Sequence, residues 1–155
     1  MTTDDTPLTD LDRVFNGFSV DDLDAAEAFY RDVLGVPVER DDEPMGLLQL
    51  RLGNRQVLVY PKGEAHRPAS YTVLNFPTDD VLRTVRALAD RGVEFLRYDG
   101  MPQDDLGVVT SGEGPPIAWF ADPAGNVHSV IELGPEPGGG DDSINETAGV
   151  GPGPG

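Results

Sequence analysis

At 155 residues and a net charge of −17, the chain has room for one domain or two small modules sharing a core, and its 28 acidic against 11 basic residues leave no cationic surface for nucleic acid. The absence of cysteine removes disulfides, thiolate nucleophiles and Cys-ligated zinc. No apolar run approaches the roughly 18 residues that span a bilayer, and the acidic opening MTTDDTPLTDLDR lacks the apolar core of a secretory signal, so a cytoplasmic protein with no membrane partner is expected. The acids are spread along the whole chain and Lys62 is the sole lysine. That composition fits solubility in a salty cytoplasm, where salt screens self-repulsion; attraction of a cationic ligand is the alternative.

In chain order, residues 1–12 are expected to form a loose acidic arm. VFNGFSV then reads as a strand. Asp21 or Asp22 caps a helix, with Asp24 and Glu27 in its positive first turn. Leu23, Ala26, Tyr30 and Val33 recur at helical spacing, and Gly35 suits the left-handed position that ends a helix. GVPVER is an edge-type strand, and LLQLRLGNRQVLVY is a hairpin around Gly53-Asn54.

The pattern repeats from YTVLNFP onward. Asp80 matches Asp22 at an offset of 58, and Gly92 matches Gly35 at 57. Val81, Val85 and Leu88 make the second apolar stripe, with Arg83 and Arg86 pointing outward. GVEFLR is a further strand, and IAWFADPAGNVHSVIE is a hairpin around Asp122–Asn126. Each half therefore reads β-α-β-β-β. The fold class is α+β, with tandem modules at 13–62 and 71–133 inside one domain at 13–133. The second half is 15 residues longer, the surplus lying in YDGMPQDDLGVVTSGEGPP. A plain surface loop is expected there, with a lid as the alternative. The last 22 residues hold eight glycines, four prolines and no basic residue, so 134–155 is expected to be a disordered tail. The N-E-T at 145–147 is a chance sequon in the absence of a secretory signal.

VDDLDAAEAFYRDVLGVPV resembles the strand-D-L-helix-F-Y-x-x-V-L-G segment of the vicinal-oxygen-chelate superfamily: glyoxalase I, bleomycin-resistance proteins and extradiol dioxygenases. FADPAGNVHSVIEL resembles that family's F-x-D-P-x-G-N-strand ending. The resemblance covers about residues 13–133. It implies two β-α-β-β-β modules whose curled sheets pair into a cup, and a homodimer is implied on the same ground. It specifies activity poorly, because one fold hosts many functions. Catalytic members hold a divalent metal in the cup with four side chains, usually His, Glu, His and Glu. Carried over by position, those ligands fall on Phe15, seven residues before Asp22; on Val73, seven before Asp80; on Ser129, four after Gly125; and near Leu58 in RQVLVY. None suits a divalent ion, so neither a metal nor another cofactor is expected. If Ser129 faces the cup, strand alternation turns His128 away, as a half-buried surface histidine. His66 sits in the loop PKGEAHRPAS with no partner at metal spacing.

The same alternation points Phe15, Gly17 and Ser19, and in the repeat Val73, Asn75 and Pro77, into the cup. Phe18, Leu74 and Phe76 pack under the helices. Apolar walls with a few polar groups are the chemistry of a small-molecule pocket. Asn75 offers both donor and acceptor. Trp119 is a stacking platform or ordinary core. Leu58, Tyr60 and Ser129 complete the candidate ligand-binding set, and Gly17 either admits a ligand closely or relieves crowding.

RLGNRQVLVYPKGEAHR holds Arg51, Arg55, Lys62 and Arg67 against Glu64 alone. It is a solvated hairpin, or it attracts an anionic substrate or a partner's acidic face. Glu132, Asp104 and Asp105 are the acids near the cup, without a diagnostic acid–base pairing. No phosphate-binding glycine loop opens a helix. The leading expectation is a metal-free protein that sequesters or senses a small, largely apolar molecule, as bleomycin-resistance-like members do. The alternatives are a glyoxalase-like lyase, isomerase or dioxygenase whose metal is held by atypical ligands, and a non-catalytic partner-binding module.

Overall fold

A computed structural model describes residues 7–134. The sequon and the tail beyond Gly134 lie outside the described residues, as do residues 1–6 of the arm. The first module runs β1 (Asn16–Val20), α1 (Leu23–Ala28), one π turn (Phe29–Val33), β2 (Val38–Asp41), β3 (Leu47–Leu52) and β4 (Arg55–Pro61). The second runs β5 (Thr72–Thr78), α2 (Val81–Asp90), β6 (Ile117–Ala121) and β7 (Val127–Glu132). The first sheet has the order β1-β4-β3-β2 and the second β5-β7-β6. In each, the opening strand lies parallel to the closing one.

Local chemistry accounts for the helix ends. The Asp22 and Asp80 carboxylates accept the Ala25 and Arg83 amides at 3.2 and 3.1 Å, capping α1 and α2. Gly35 and Gly92 take φ of 76° and 97°, which a side chain would strain. Both hairpins form where the turn residues predict them. The 8–13 stretch of the arm contains a short 3₁₀ turn at Leu11–Arg13.

One expected strand is absent. GVEFLR contributes only an isolated bridge, Phe95 opposite Phe120. The Leu96 amide still donates to the Trp119 carbonyl at 2.7 Å, but the Arg97 guanidinium then donates to the carbonyls of Asp104 and Asp105. The chain leaves the sheet edge there to follow the long loop.

Each helix covers the outer face of its own sheet. Leu23, Ala26 and Tyr30 pack on Phe18, Val20, Leu48, Leu50, Val57 and Val59. Val81 and Val85 pack on Ala118, Phe120 and Val130, while Arg83 and Arg86 stay exposed.

The modules are joined through buried polar groups. The Tyr30 hydroxyl, from the end of the first helical stretch, lies 2.6 Å from Asp122 Oδ2 and 2.7 Å from His128 Nε2. A hydroxyl has one proton, and Asp122 is an acceptor. Tyr30 therefore donates to Asp122 and accepts from His128 Nε2–H; His128 Nδ1, which has no partner among the described residues, is the bare nitrogen. His128 is fully buried rather than half-exposed: Phe18 and Tyr30 of the first module close over it beside Phe76 and Phe120 of its own, all four rings 5.6 to 6.0 Å from the imidazole. Asp122 Oδ1 also accepts the amides of Ala124 and Asn126, and Asn126 Nδ2 donates to the Ser19 carbonyl at 2.8 Å. His66 is buried as well. Its Nε2 donates to the Ala124 carbonyl at 3.0 Å, and its Nδ1 therefore accepts the Ser19 hydroxyl at 2.8 Å.

Burial pushes the His128 imidazole down from 6.5 to about 4, with the Asp122 charge opposing the shift. Between those pH values the unfolded chain holds a proton that the folded chain lacks. This contribution is complete above pH 6.5 and is lost as the pH falls towards 4. The native protein should lose on the order of 3 kcal/mol over that range relative to His128→Gln, read from urea midpoints at each pH. Tyr30→Phe, which strands two buried partners, should cost about 2 to 4 kcal/mol at pH 7 in the same assay.

Candidate ligand groove

The inner faces of the two sheets meet different fates. On the second sheet, Asn75, Ser129 and Trp119 stand in register across β5, β7 and β6, on the side away from α2. The long loop folds back over that face. Leu96, Tyr98, Met101 and Val109 pack on Ile117, Trp119, Val127 and Ile131, and Tyr98 meets Trp119 edge to face at 5.6 Å. Trp119 and Ser129 are consequently fully buried.

Polar groups hold the loop in place. The Gln103 amide donates to the carbonyls of Leu96 and Gly107 and accepts the Tyr98 amide, at 2.8 to 2.9 Å. Asp104 Oδ1 accepts the amides of Leu106 and Val108, both at 2.9 Å. Val109 bridges to Ile117. The segment is a packed cover rather than the plain surface loop expected. Its Asp104 is committed to its own turn. Glu132 is committed too, accepting the Val81 amide at 2.9 Å at the start of α2.

The first sheet leaves its inner face open. A groove of about 1600 Å³ runs between the arm, the β3–β4 hairpin and β5. Its apolar lining includes Val14 and Phe15, which are 73% and 64% exposed, with Val73, Leu74 and Pro77 across from them. Asn75 stands among these, its Oδ1 taken by the Ser129 hydroxyl at 2.6 Å.

Of the residues singled out from sequence, Phe15, Val73 and Asn75 come together in this groove. Gly17 and Leu58 lie side by side on β1 and β4, outside the groove's lining; a Cβ at Gly17 would meet the Leu58 carbonyl at 3.3 Å and the Tyr60 ring at 3.8 Å. Gly17 thus relieves crowding beneath Tyr60, which is 37% exposed. Trp119 and Ser129 are shut away behind the cover. The four family metal positions do not fit an ion: Phe15, Leu58 and Val73 have no donor, and the Ser129 hydroxyl is spent on Asn75. Among the described residues no group of three or more histidines and acids is placed to hold a metal. The groove's polar lining includes Asn16, Arg51, Arg55 and Gln56, of which the sequence singled out Arg51 and Arg55, as part of a basic hairpin.

A family model described as the Glyoxalase/Bleomycin resistance protein/Dioxygenase superfamily matches residues 11–130, and the chain belongs to that superfamily. Solved structures share its fold. TnmS3, an antibiotic binding protein from Streptomyces sp. CB03234, is 24% identical with a TM-score of 0.55, over 77% of this chain and 94% of its own. A glyoxalase I variant from Zea mays is 20% identical with a TM-score of 0.57, over 77% of this chain and 43% of its own. A putative glyoxalase family protein from Bacillus anthracis is 18% identical with a TM-score of 0.55, over 77% and 93%. No curated protein matches the chain at a significant level. Among the described residues no helix is long and apolar enough to cross a membrane.

Gln103→Ala removes three hydrogen bonds that pin the cover. It should cost about 2 to 3 kcal/mol, shift Trp119 emission to the red and open residues 98–116 to proteolysis, while leaving the far-ultraviolet circular dichroism of the sheets intact.

Proposed function

We propose that this protein is a cytoplasmic, metal-free binder of a small, largely apolar molecule, which it sequesters or senses. The observation that carries the proposal is the solvent-exposed ring of Phe15 lining one open groove with Val73 and Asn75. An apolar surface left in water beside a few amide side chains is the arrangement of a ligand site. The residues at the family's metal positions support binding over ion chemistry. That one protein of this fold serves antibiotic binding is consistent with such a use; the case here rests on this chain's own side chains.

A second copy of the chain completes the proposal. The groove, at about 1600 Å³, exceeds the roughly 300–1,000 Å³ of an ordinary ligand pocket. The strands that flank it, β1 and β5, are each the free edge of their sheet. Leu8, Leu11, Val14 and Phe15 are all more than 60% exposed on the segment beside them. A dimer that covers this segment narrows the groove to ligand size.

Trp119 lies behind the cover, so calorimetry is the direct assay. Titration with a panel of naphthalene-sized apolar compounds should give saturable heat that is unchanged after treatment with a chelator. Phe15→Asp should weaken the best binder by about 2 kcal/mol, roughly 30-fold in Kd, without moving the urea midpoint, because Phe15 is already exposed. Failure of the whole panel to bind, or binding that the chelator abolishes, overturns the proposal. Sedimentation at micromolar concentration should show a dimer.

A further inference from the structure

We infer that the ligand of the groove is a hydrophobic carboxylate: an apolar body carrying one anionic oxygen group. This inference rests on reading the groove as a small-molecule site.

Charge around the groove runs against the rest of the protein. Its lining includes Arg13, Arg51 and Arg55, three of the 11 basic residues, but only Asp10 and Asp12 of the 28 acids. Arg51 and Arg55 flank the Gly53-Asn54 turn and line the groove with Phe15 and Val73; Arg51 pairs with Gln56 and Arg55 with Leu52, so the two arginines leave the hairpin from opposite faces.

The bonding state of these groups selects the ligand's chemistry. Arg13 holds Asp10 at 3.1 Å and Arg51 holds Glu39 at 3.0 Å, both pairs in solvent. Such pairs contribute little and yield readily to a better acceptor. Arg55 has no ion pair among the described residues. Asn75 has its acceptor oxygen filled by the Ser129 hydroxyl, which leaves its two Nδ2–H groups as donors facing the groove. The groove's other amides, Asn16, Asn54 and Gln56, keep oxygens that accept, so the charges decide the preference: three guanidinium groups line the groove against two carboxylates. A carboxylate matches the planar fork of Arg55, and a second ligand oxygen matches Asn75. Of the lining carboxylates, an ammonium group finds Asp12 without an ion-pair partner among the described residues. The overall charge of −17 does not forbid an anion here, since repulsion from acids beyond about 8 Å is screened at physiological salt.

The test uses three probes of one shape on the full chain by calorimetry, at neutral pH and about 0.15 M salt: 2-naphthoate, 2-naphthylmethanol and 2-naphthylmethylammonium. The carboxylate should bind tightest, about tenfold over the ammonium, and Arg55→Gln should reduce the carboxylate-to-alcohol affinity ratio about tenfold. An ammonium that binds as well as the carboxylate overturns the inference, as does a ratio that Arg55→Gln leaves unchanged. In either case, binding of the alcohol keeps the groove as a ligand site. If none of the three binds, the groove reading fails and the inference falls with it. If Arg55→Gln instead abolishes the dimer while the order of affinities persists, Arg55 serves a protein contact and the inference is again overturned.

Discussion

The structure depends on one constraint: Tyr30 carries a single hydroxyl proton between two buried acceptor-capable groups of the other module, Asp122 and His128. Burial makes ionisation of the tyrosine harder still and holds the histidine neutral. Asp122 is surrounded by donors, and His128 Nδ1 is the one nitrogen of the junction without a partner among the described residues. Two β-rich halves with few direct sheet contacts are thereby locked at a fixed angle. The angle matters because it sets which inner faces point into the groove. The D-P-x-G-N turn, which reads as an ordinary hairpin connection, is the receiving half of this lock.

The two modules come from one pattern but present unlike surfaces. In the second, about 15 additional residues fold inward and cover the sheet with Tyr98, Met101 and Val109. In the first there is no such segment, and the corresponding face stays open. The repeat therefore supplies one closed half that contributes rigidity and one open half that contributes a surface. Asn75 and Ser129 mark the border between them: Ser129 belongs to the closed side, and its hydroxyl orients an amide that belongs to the open one.

Much of the architecture was legible in advance. Asp22 and Asp80 before apolar stripes, and Gly35 and Gly92 after them, locate both helices because capping is a local interaction with few alternatives. Gly53-Asn54 and Asp122–Asn126 locate both hairpins for the same reason. Period-two alternation placed Phe15, Val73 and Asn75 on an inner face and His128 on an outer one. What alternation could not supply was the neighbour on each face. His128 was expected at the surface because alternation alone does not show that Phe18 and Tyr30 of the other module close over it. Trp119 was assigned to the cup because a loop of glycine and acid gives no local sign that three apolar side chains within it will pack on a distant sheet. The failed strand at GVEFLR has the same origin, since Arg97 satisfies carbonyls seven and eight residues ahead of it.

Apart from the strand expected at GVEFLR, the sequence by itself determined the elements, their order, their facing and the superfamily, because caps, turns and alternation act over a few residues. Only the tertiary structure decided which inner face is open. That outcome turns on contacts across long separations: Tyr30 with Asp122 and His128, Tyr98 with Trp119, and Ser129 with Asn75. No residue encodes such a contact alone. Each exists because two segments, independently unremarkable, bury complementary groups against one another, and the donors left over at the groove are those that found no such partner.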